Sequence, residues 1–427
     1  MKTVFAFFVE MRNTTILLNA PVERKFCWVK LAIAVSRGAL MFAALSALLL
    51  TAAQRADSQT ETVLHNFTKG SDGAYPNWGL IADSSGNLYG TAGGGGLGYG
   101  TVFELSPNGI GGWNETVLHS FTGGEDGKDP SGPVMFDSER NLYGTTAGGG
   151  ARGHGVVFEL TPMGKRWEEK VLHSFKGGPD GKFPISGVIM DKAGNLYGTT
   201  YNGFKVATVF ELSPSGGSGW TKRVIYNVAT SGAGLTMDAA GDIFLATYWT
   251  VFELLPDGNG GWIPTVLHTF AGYPKDGYWA SSSPVLDQAG NLYGTTTAGG
   301  PDNGGMVYKL IPGKNGKWME KVLHFFEGFT RGNSPAGNIV LDASGNIYGT
   351  TDWGGKHDLG TVFELVAPNG TGGYQEKLLW SFTGTDGLNP DAGVILDGAG
   401  NLYGTASKGG TTYTHDYGYG VVFQVSP

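Results

Sequence analysis

Asp recurs in five loops of this chain within Gly-Gly-x-Asp-Gly-x-x-Pro or close variants of it: Asp72, Asp126, Asp180, Asp276 and Asp386. Five carboxylates on one face would focus a field able to hold a cation or a basic ligand. The bland reading carries more weight, because Asp-Gly is first of all a turn former. Intervals of 54 residues separate Asp72, Asp126 and Asp180. Such spacing assigns each Asp to its own repeat unit. They are therefore not expected to share one hard-metal centre with bonds of about 2.3–2.6 Å.

His recurs in Val-Leu-His-x-Phe at His65, His119, His173, His268 and His324, with Tyr226 and Trp380 in the same place elsewhere. Zinc needs three or four such ligands on one ion. One His per unit on an outer strand is not expected to converge with the others, and an aromatic in its place points to packing. Trp113, Trp167, Trp220, Trp262 and Trp318 open the same segments, with Tyr374 in the sixth. They read as packing between units rather than as sugar platforms.

The segments that differ from unit to unit are the better candidates for function, since loops on a rigid scaffold carry it. Trp353, His357 and Asp358 lie in one such loop, and Tyr413, His415 and Asp416 in another. His357/Asp358 and His415/Asp416 are candidate acid–base pairs or sugar contacts, set against the plainer reading of exposed loop residues. The glycine tracts lack a strand–helix context, so no phosphate loop is indicated. In the fourth unit Asp-Ile-Phe-Leu-Ala-Thr (242–247) replaces the usual phrase, and Thr-Tyr-Trp leads almost directly into Thr-Val-Phe-Glu-Leu, so both connections on the same side are shortened.

The elements that must position these residues follow from a sevenfold repeat. Asp-x-x-Gly-Asn-Leu-Tyr-Gly-Thr recurs with its Asn position at Asn87, Asn141, Asn195, Asp242, Asn291, Asn346 and Asn401. Each unit holds four short runs of strand type, called a to d. In the second unit they are 132–137, 141–146, 155–160 and 167–175. Turn signals join them as antiparallel hairpins. Four-stranded units of this period predict an all-β fold: one seven-bladed β-propeller of antiparallel blades. A solenoid is the less favoured alternative. Residues 61–67 read as a strand d without its a, b and c, and 420–427 as a strand c without its d. The first strand is therefore expected to complete the last blade, with 62–67 antiparallel to 420–426.

Composition agrees with many tight turns: 73 of the 427 residues are Gly. Beyond residue 53 there are 23 Lys and Arg against 35 Asp and Glu. A surface this acidic excludes a nucleic-acid partner. The single cysteine, Cys27, precedes the repeats. Residues 1–53 read as a leader, with the apolar run 39–53 preceded by Lys30 and Arg37. That layout suits a signal peptide better than a membrane span of about 20 residues. Residues 54–427 are then the propeller, secreted or periplasmic, monomeric and free of the membrane once the leader is cleaved.

The phrases Gly-Thr-Val-Phe-Glu-Leu (100–105 and 360–365), Gly-Asn-Leu-Tyr-Gly-Thr and Val-Leu-His-Ser-Phe resemble the GloVer tandem repeat of secreted bacterial "choice-of-anchor" proteins. The resemblance covers residues 61–427. It implies export and carries no established activity. The chain stops at Pro427 without a sorting segment, a departure from the anchored pattern. The Asp-x-x-Gly-Asn-Leu-Tyr hairpin is locally similar to that of NHL and gluconolactonase-like propellers. The preferred expectation is a non-enzymatic binding or scaffold propeller for an extracellular glycan, peptide or protein. The alternative is a lactonase-like or glycan-cleaving hydrolase with its site at the central channel. Strands a carry mostly Gly, Val, Ile, Leu and Met, and no acidic cluster is expected at their ends. A carboxylate or His cluster there would reverse the preference. No metal or cofactor is expected, although a divalent cation is compatible with the Asp loops.

Overall fold

A computed structural model describes residues 59–427 except 202–206, 218, 229–231, 281 and 412–416. They form seven antiparallel sheets, each built from strands a to d. In blade 1 these are Ile81–Ala82, Leu88–Ala92, Thr101–Pro107 and Trp113–Ser120. Thr60–Asn66 lies antiparallel to Val421–Ser426, pairing Thr60 with Ser426 and Asn66 with Val421, and so supplies strand d of blade 7.

The repeated phrase has a mechanical role at each position. Asp83 Oδ1 accepts from the backbone N–H of Ser85 and Asn87 at 2.8 and 3.0 Å. Its Oδ2 accepts from Asn87 Nδ2 at 3.0 Å and from the Tyr89 hydroxyl at 3.2 Å. The same four bonds recur at Asp191, Asp342 and Asp397. Asp342→Ala strands these donors and should cost about 2–3 kcal/mol. Denaturant unfolding at neutral pH reads this, and an unchanged midpoint would contradict it.

Gly of Leu-Tyr-Gly-Thr is required for space, not for its backbone angles. A Cβ on Gly90 would stand 2.6 Å from Phe103 Cζ, and one on Gly349 2.7 Å from Phe363 Cζ. Each Phe thus lies flat on the neighbouring strand. In blade 4 Leu245 occupies the Gly position, and Phe252 is correspondingly less buried.

The cores lie between blades. Phe67 meets Phe103 edge to face at 5.3 Å, and Phe121–Phe158, Phe175–Phe210, Phe326–Phe363 and Phe382–Phe423 repeat the contact. Trp113 packs on Tyr403 and Trp262 on Tyr197, each across a blade boundary. Strand a of blade 2 is shorter than its sequence suggests. In blade 2 the run 132–137 is paired beside strand b only at Met135–Phe136. Pro133 has no N–H to donate, and the backbone of Gly132 closes on Gly187 of the next blade.

Candidate functional site

Strands a surround an axial cavity of about 720 Å³, lined by Ile81, Met135, Ile189, Leu235, Val285 and Ile395 from blades 1 to 5 and 7, with Asn338 from blade 6. The d-to-a and b-to-c loops lie together on one face of the ring: Gly96 N–H bonds Gly70 O, and Gly150 N–H bonds Gly124 O, both at 2.8 Å.

At that face a second cavity, of about 630 Å³, opens between blades 6, 7, 1 and 2. Tyr75, Trp78 and Trp353 provide aromatic walls, and Asn77, Asn389 and Ser407 provide amide and hydroxyl groups. Asp352 and Asp391 line both cavities, so they stand where the channel meets the loop face. No donor reaches the buried Asp352 Oδ1. The carboxyl of Asp391 lies within hydrogen-bonding reach of Asp352. Two neighbouring carboxyls disfavour double ionisation, so one of them tends to keep its proton. Burial, then the charge of Asp391, pushes Asp352 up to about 8. Burial also raises Asp391, although Ser407 and Lys408 favour its ionised form.

This pair corrects the expectation that no acidic cluster converges at the inner strand ends. Asp352 is the penultimate residue of strand b of blade 6 (Ile347–Trp353), where blade 2 has Ala147 and blade 5 has Thr297. Asp391 follows Pro390, where blade 1 has Asn77 and blade 2 has Ser131. Each breaks its own repeat, and that was the available signal. Their convergence depends on the contact between two blades, which no single unit displays.

The other candidates fall into three groups. Trp353 is at the channel mouth beside Asp352. His357 and Asp358 are exposed and outside both cavities, and Asp358 Oδ1 accepts from Gly354 N–H at 2.8 Å within its own loop. Tyr413, His415 and Asp416 lie outside the described residues.

The five loop Asp residues cap their own turns. Asp72 accepts from Thr68 N–H at 2.8 Å and from its hydroxyl at 2.6 Å, and Asp126 does the same with Thr122. Asp180, Asp276 and Asp386 take Lys176, Ala271 and Thr383 N–H. The five His residues stay in separate blades, as expected. Four of them meet the Asp of the following loop: His65–Asp72 at 3.4 Å, His119–Asp126 at 3.5 Å, His173–Asp180 at 3.1 Å and His268–Asp276 at 3.6 Å. A register shift at Val-Leu-His makes Leu a bulge residue in these strands. Bulges of this kind re-aim side chains.

Burial, then a neighbouring Asp, raises Glu61 to about 8 and Glu115 and Glu169 to about 7. A carboxyl raised in the fold keeps its proton while the unfolded chain releases it above about pH 4.3. Its stabilisation is complete below that pH and is lost as pH rises through 7–8. In metal-free buffer the Tm should therefore fall between pH 5 and pH 8. A Tm that rises over this interval would contradict the assignment.

The chain matches the Gloeobacter/Verrucomicrobia repeat over residues 52–244 and 239–427. It belongs to that family. Among solved structures, the family fold seen here is similar to a streptogramin B lyase at 13% identity and a TM-score of 0.54, over 86% of this chain and 97% of that one. It is also similar to virginiamycin B lyase from Staphylococcus aureus at 12% identity and a TM-score of 0.55, over 87% and 99%. At such identity the likeness is one of fold. No curated protein sequence matches. Among the described residues no helix is long and apolar enough to cross a membrane.

Proposed function

We propose that the channel mouth between blades 6, 7, 1 and 2 is the active site of an exported hydrolase acting on an ester or lactone of a hydroxyl-rich, sugar-like ligand. The Asp352–Asp391 pair carries this reading. One protonated and one ionised carboxyl, side by side, supply an acid and a base at neutral pH. The ionised member takes a proton from water as the water oxygen adds to the carbonyl carbon. The protonated member gives its proton to the carbonyl oxygen. Collapse of the adduct breaks the C–O bond, and the alcohol leaves with a proton.

Two carboxyls close enough to share a proton are too close for glycoside cleavage, where they stand about 5 Å or more apart. Acyl chemistry is favoured over glycosyl chemistry on that ground. Tyr75, Trp78 and Trp353 suit the apolar faces of a sugar ring, and Asn77, Asn389 and Ser407 suit its hydroxyls. No resident cofactor enters this scheme. Export rests on the leader of residues 1–53, and N-terminal sequencing of protein recovered outside the cytoplasm tests it.

A second reading is binding without catalysis, of a glycan, peptide or protein. Exposed aromatics on blades 4 and 5 support it. Trp249 stacks on Tyr278 at 5.4 Å and 12°, Trp279 is exposed beside it in the chain, and exposed Tyr273 and Phe329 line one cavity with Tyr278. A panel of sugar lactones and chromogenic esters, run beside glycan-binding assays, separates the two. Turnover lost in Asp352→Asn supports the first. Ligand binding without turnover, unchanged in that variant, supports the second.

A further inference from the structure

Each boundary between blades, here called a seam, presents the same three positions away from the channel mouth. They are the His position of strand d, the Asp position of the following loop, and one residue of strand d in the next blade. The third position is fixed by register. Glu115, Glu169, Lys222, Pro264, Glu320, Glu376 and Glu61 each pair with the same strand c position, from Leu105 in blade 1 to Val425 in blade 7.

Three seams carry His, Asp and Glu: His65/Asp72/Glu115, His119/Asp126/Glu169 and His268/Asp276/Glu320. Two others replace one carboxylate with a cation. Lys222 takes the Glu place, 95% buried at its side chain, with Nζ 3.1 Å from Asp180 Oδ1. Arg331 takes the Asp place, with Nη1 3.7 Å from Glu376 Oε2. A sixth seam has Tyr226 and Pro264 in the His and Glu places. In the seventh, Trp380 Nε1 donates to Asp386 Oδ2 at 2.9 Å, beside Glu61. The chain thus supplies its own cation in two seams that keep a single carboxylate. The His–Asp–Glu seams keep two carboxylates and have no Lys or Arg at these places.

We propose that the seam between blades 4 and 5 binds one divalent cation of the zinc class through His268 Nε2, Asp276 Oδ2 and Glu320 Oε1. These ligand atoms lie within 4.8 Å of one another. His268 Nε2 stands 3.6 Å from Asp276 Oδ2 and 3.5 Å from Glu320 Oε1. Those are poor hydrogen-bond lengths. They suit the edges of a tetrahedron around an ion with bonds of about 2.0–2.2 Å, which span roughly 3.3–3.6 Å. Both His268 Nε2 and Glu320 Oε1 are buried and lack a hydrogen-bond partner. Where Lys222 is present, His173 Nε2 closes to 3.1 Å on Asp180, whereas beside Arg331 His324 Nε2 stays 3.5 Å from Glu376. Asp276 is held in place by Ala271 N–H at 2.5 Å and Gly277 N–H at 2.6 Å, the kind of support that orients a metal ligand. The seams at Asp72 and Asp126 hold the same residue types in a looser arrangement. Three protein ligands leave a fourth position for water.

The full chain, stripped with chelator and titrated with zinc chloride at pH 7.5 by calorimetry, tests this. The key variant is Glu320→Lys, which copies the Lys222 seam and should fold without metal. The wild type should bind one more zinc ion per chain than Glu320→Lys and gain several degrees in Tm on binding. Glu320→Lys should keep its metal-free Tm and lose that gain. His268→Tyr, copied from Tyr226, should lose the same ion and serves if Glu320→Lys folds poorly. Absence of saturable zinc binding, or an equal stoichiometry in wild type and a folded variant, would overturn the proposal.

Discussion

A chain lacking residues 59–67 should lose more than about 5 kcal/mol of stability or fail to unfold cooperatively. The segment adds a whole strand to blade 7, with register from Thr60–Ser426 to Asn66–Val421. It also carries Phe67, fully buried against Phe103 of blade 1. Losing one buried Phe alone costs about 3–5 kcal/mol. Deletion would also leave Val421–Ser426 as an open edge, a template for aggregation. A ring is more exposed to this than a linear array, because one missing strand opens the seam between blades 7 and 1. Calorimetry of the truncated chain measures the loss. A synthetic peptide of residues 59–67 should restore part of it by strand addition. An unaltered transition in the truncated chain would refute strand closure as the source of stability.

The second large effect is expected at the channel mouth. Asp352→Asn keeps the shape of the side chain but removes its ability to exchange a proton. Loss of one acid–base group commonly lowers turnover by about 10²–10⁴. The fall should appear in kcat, with KM little changed, because the aromatic walls at Trp78 and Trp353 are untouched. Stability should hold or rise, since an amide can donate to Asp391 where two carboxyls must share a proton. A variant with full turnover would remove Asp352 from the chemistry.

The scaffold was legible in the sequence because its physics repeats. Asp83 to Tyr89 form a closed set of hydrogen bonds, and Gly90 makes room for Phe103, so each unit spells the same local solution. The complementary ends were legible for the same reason. Strand a of blade 2 was read too long because its pairing is limited by Pro133 and by the close backbone approach at Gly132. The site was harder to read. Asp352 and Asp391 are 39 residues apart and meet only across blades 6 and 7. The seam clusters were hidden in a similar way. His268 and Asp276 belong to one unit and Glu320 to the next, so no unit holds all three ligands of one seam. What the sequence did show was that loop Asp residues would cap turns, and Asp72 and Asp126 do so through Thr68 and Thr122.

The shared proton is the centre of this account, and the carboxyl groups report it directly. Carboxyl carbons of Asp352 and Asp391 can be followed by ¹³C NMR from pH 3 to pH 10, each assigned by substitution with Asn. The pair should show two well-separated titration steps, the upper one near 8, and Asp391→Asn should lower the remaining Asp352 step from that position. Two ordinary steps near pH 4, unaffected by replacing either partner, would contradict the shared proton and with it the acid–base role of the channel mouth.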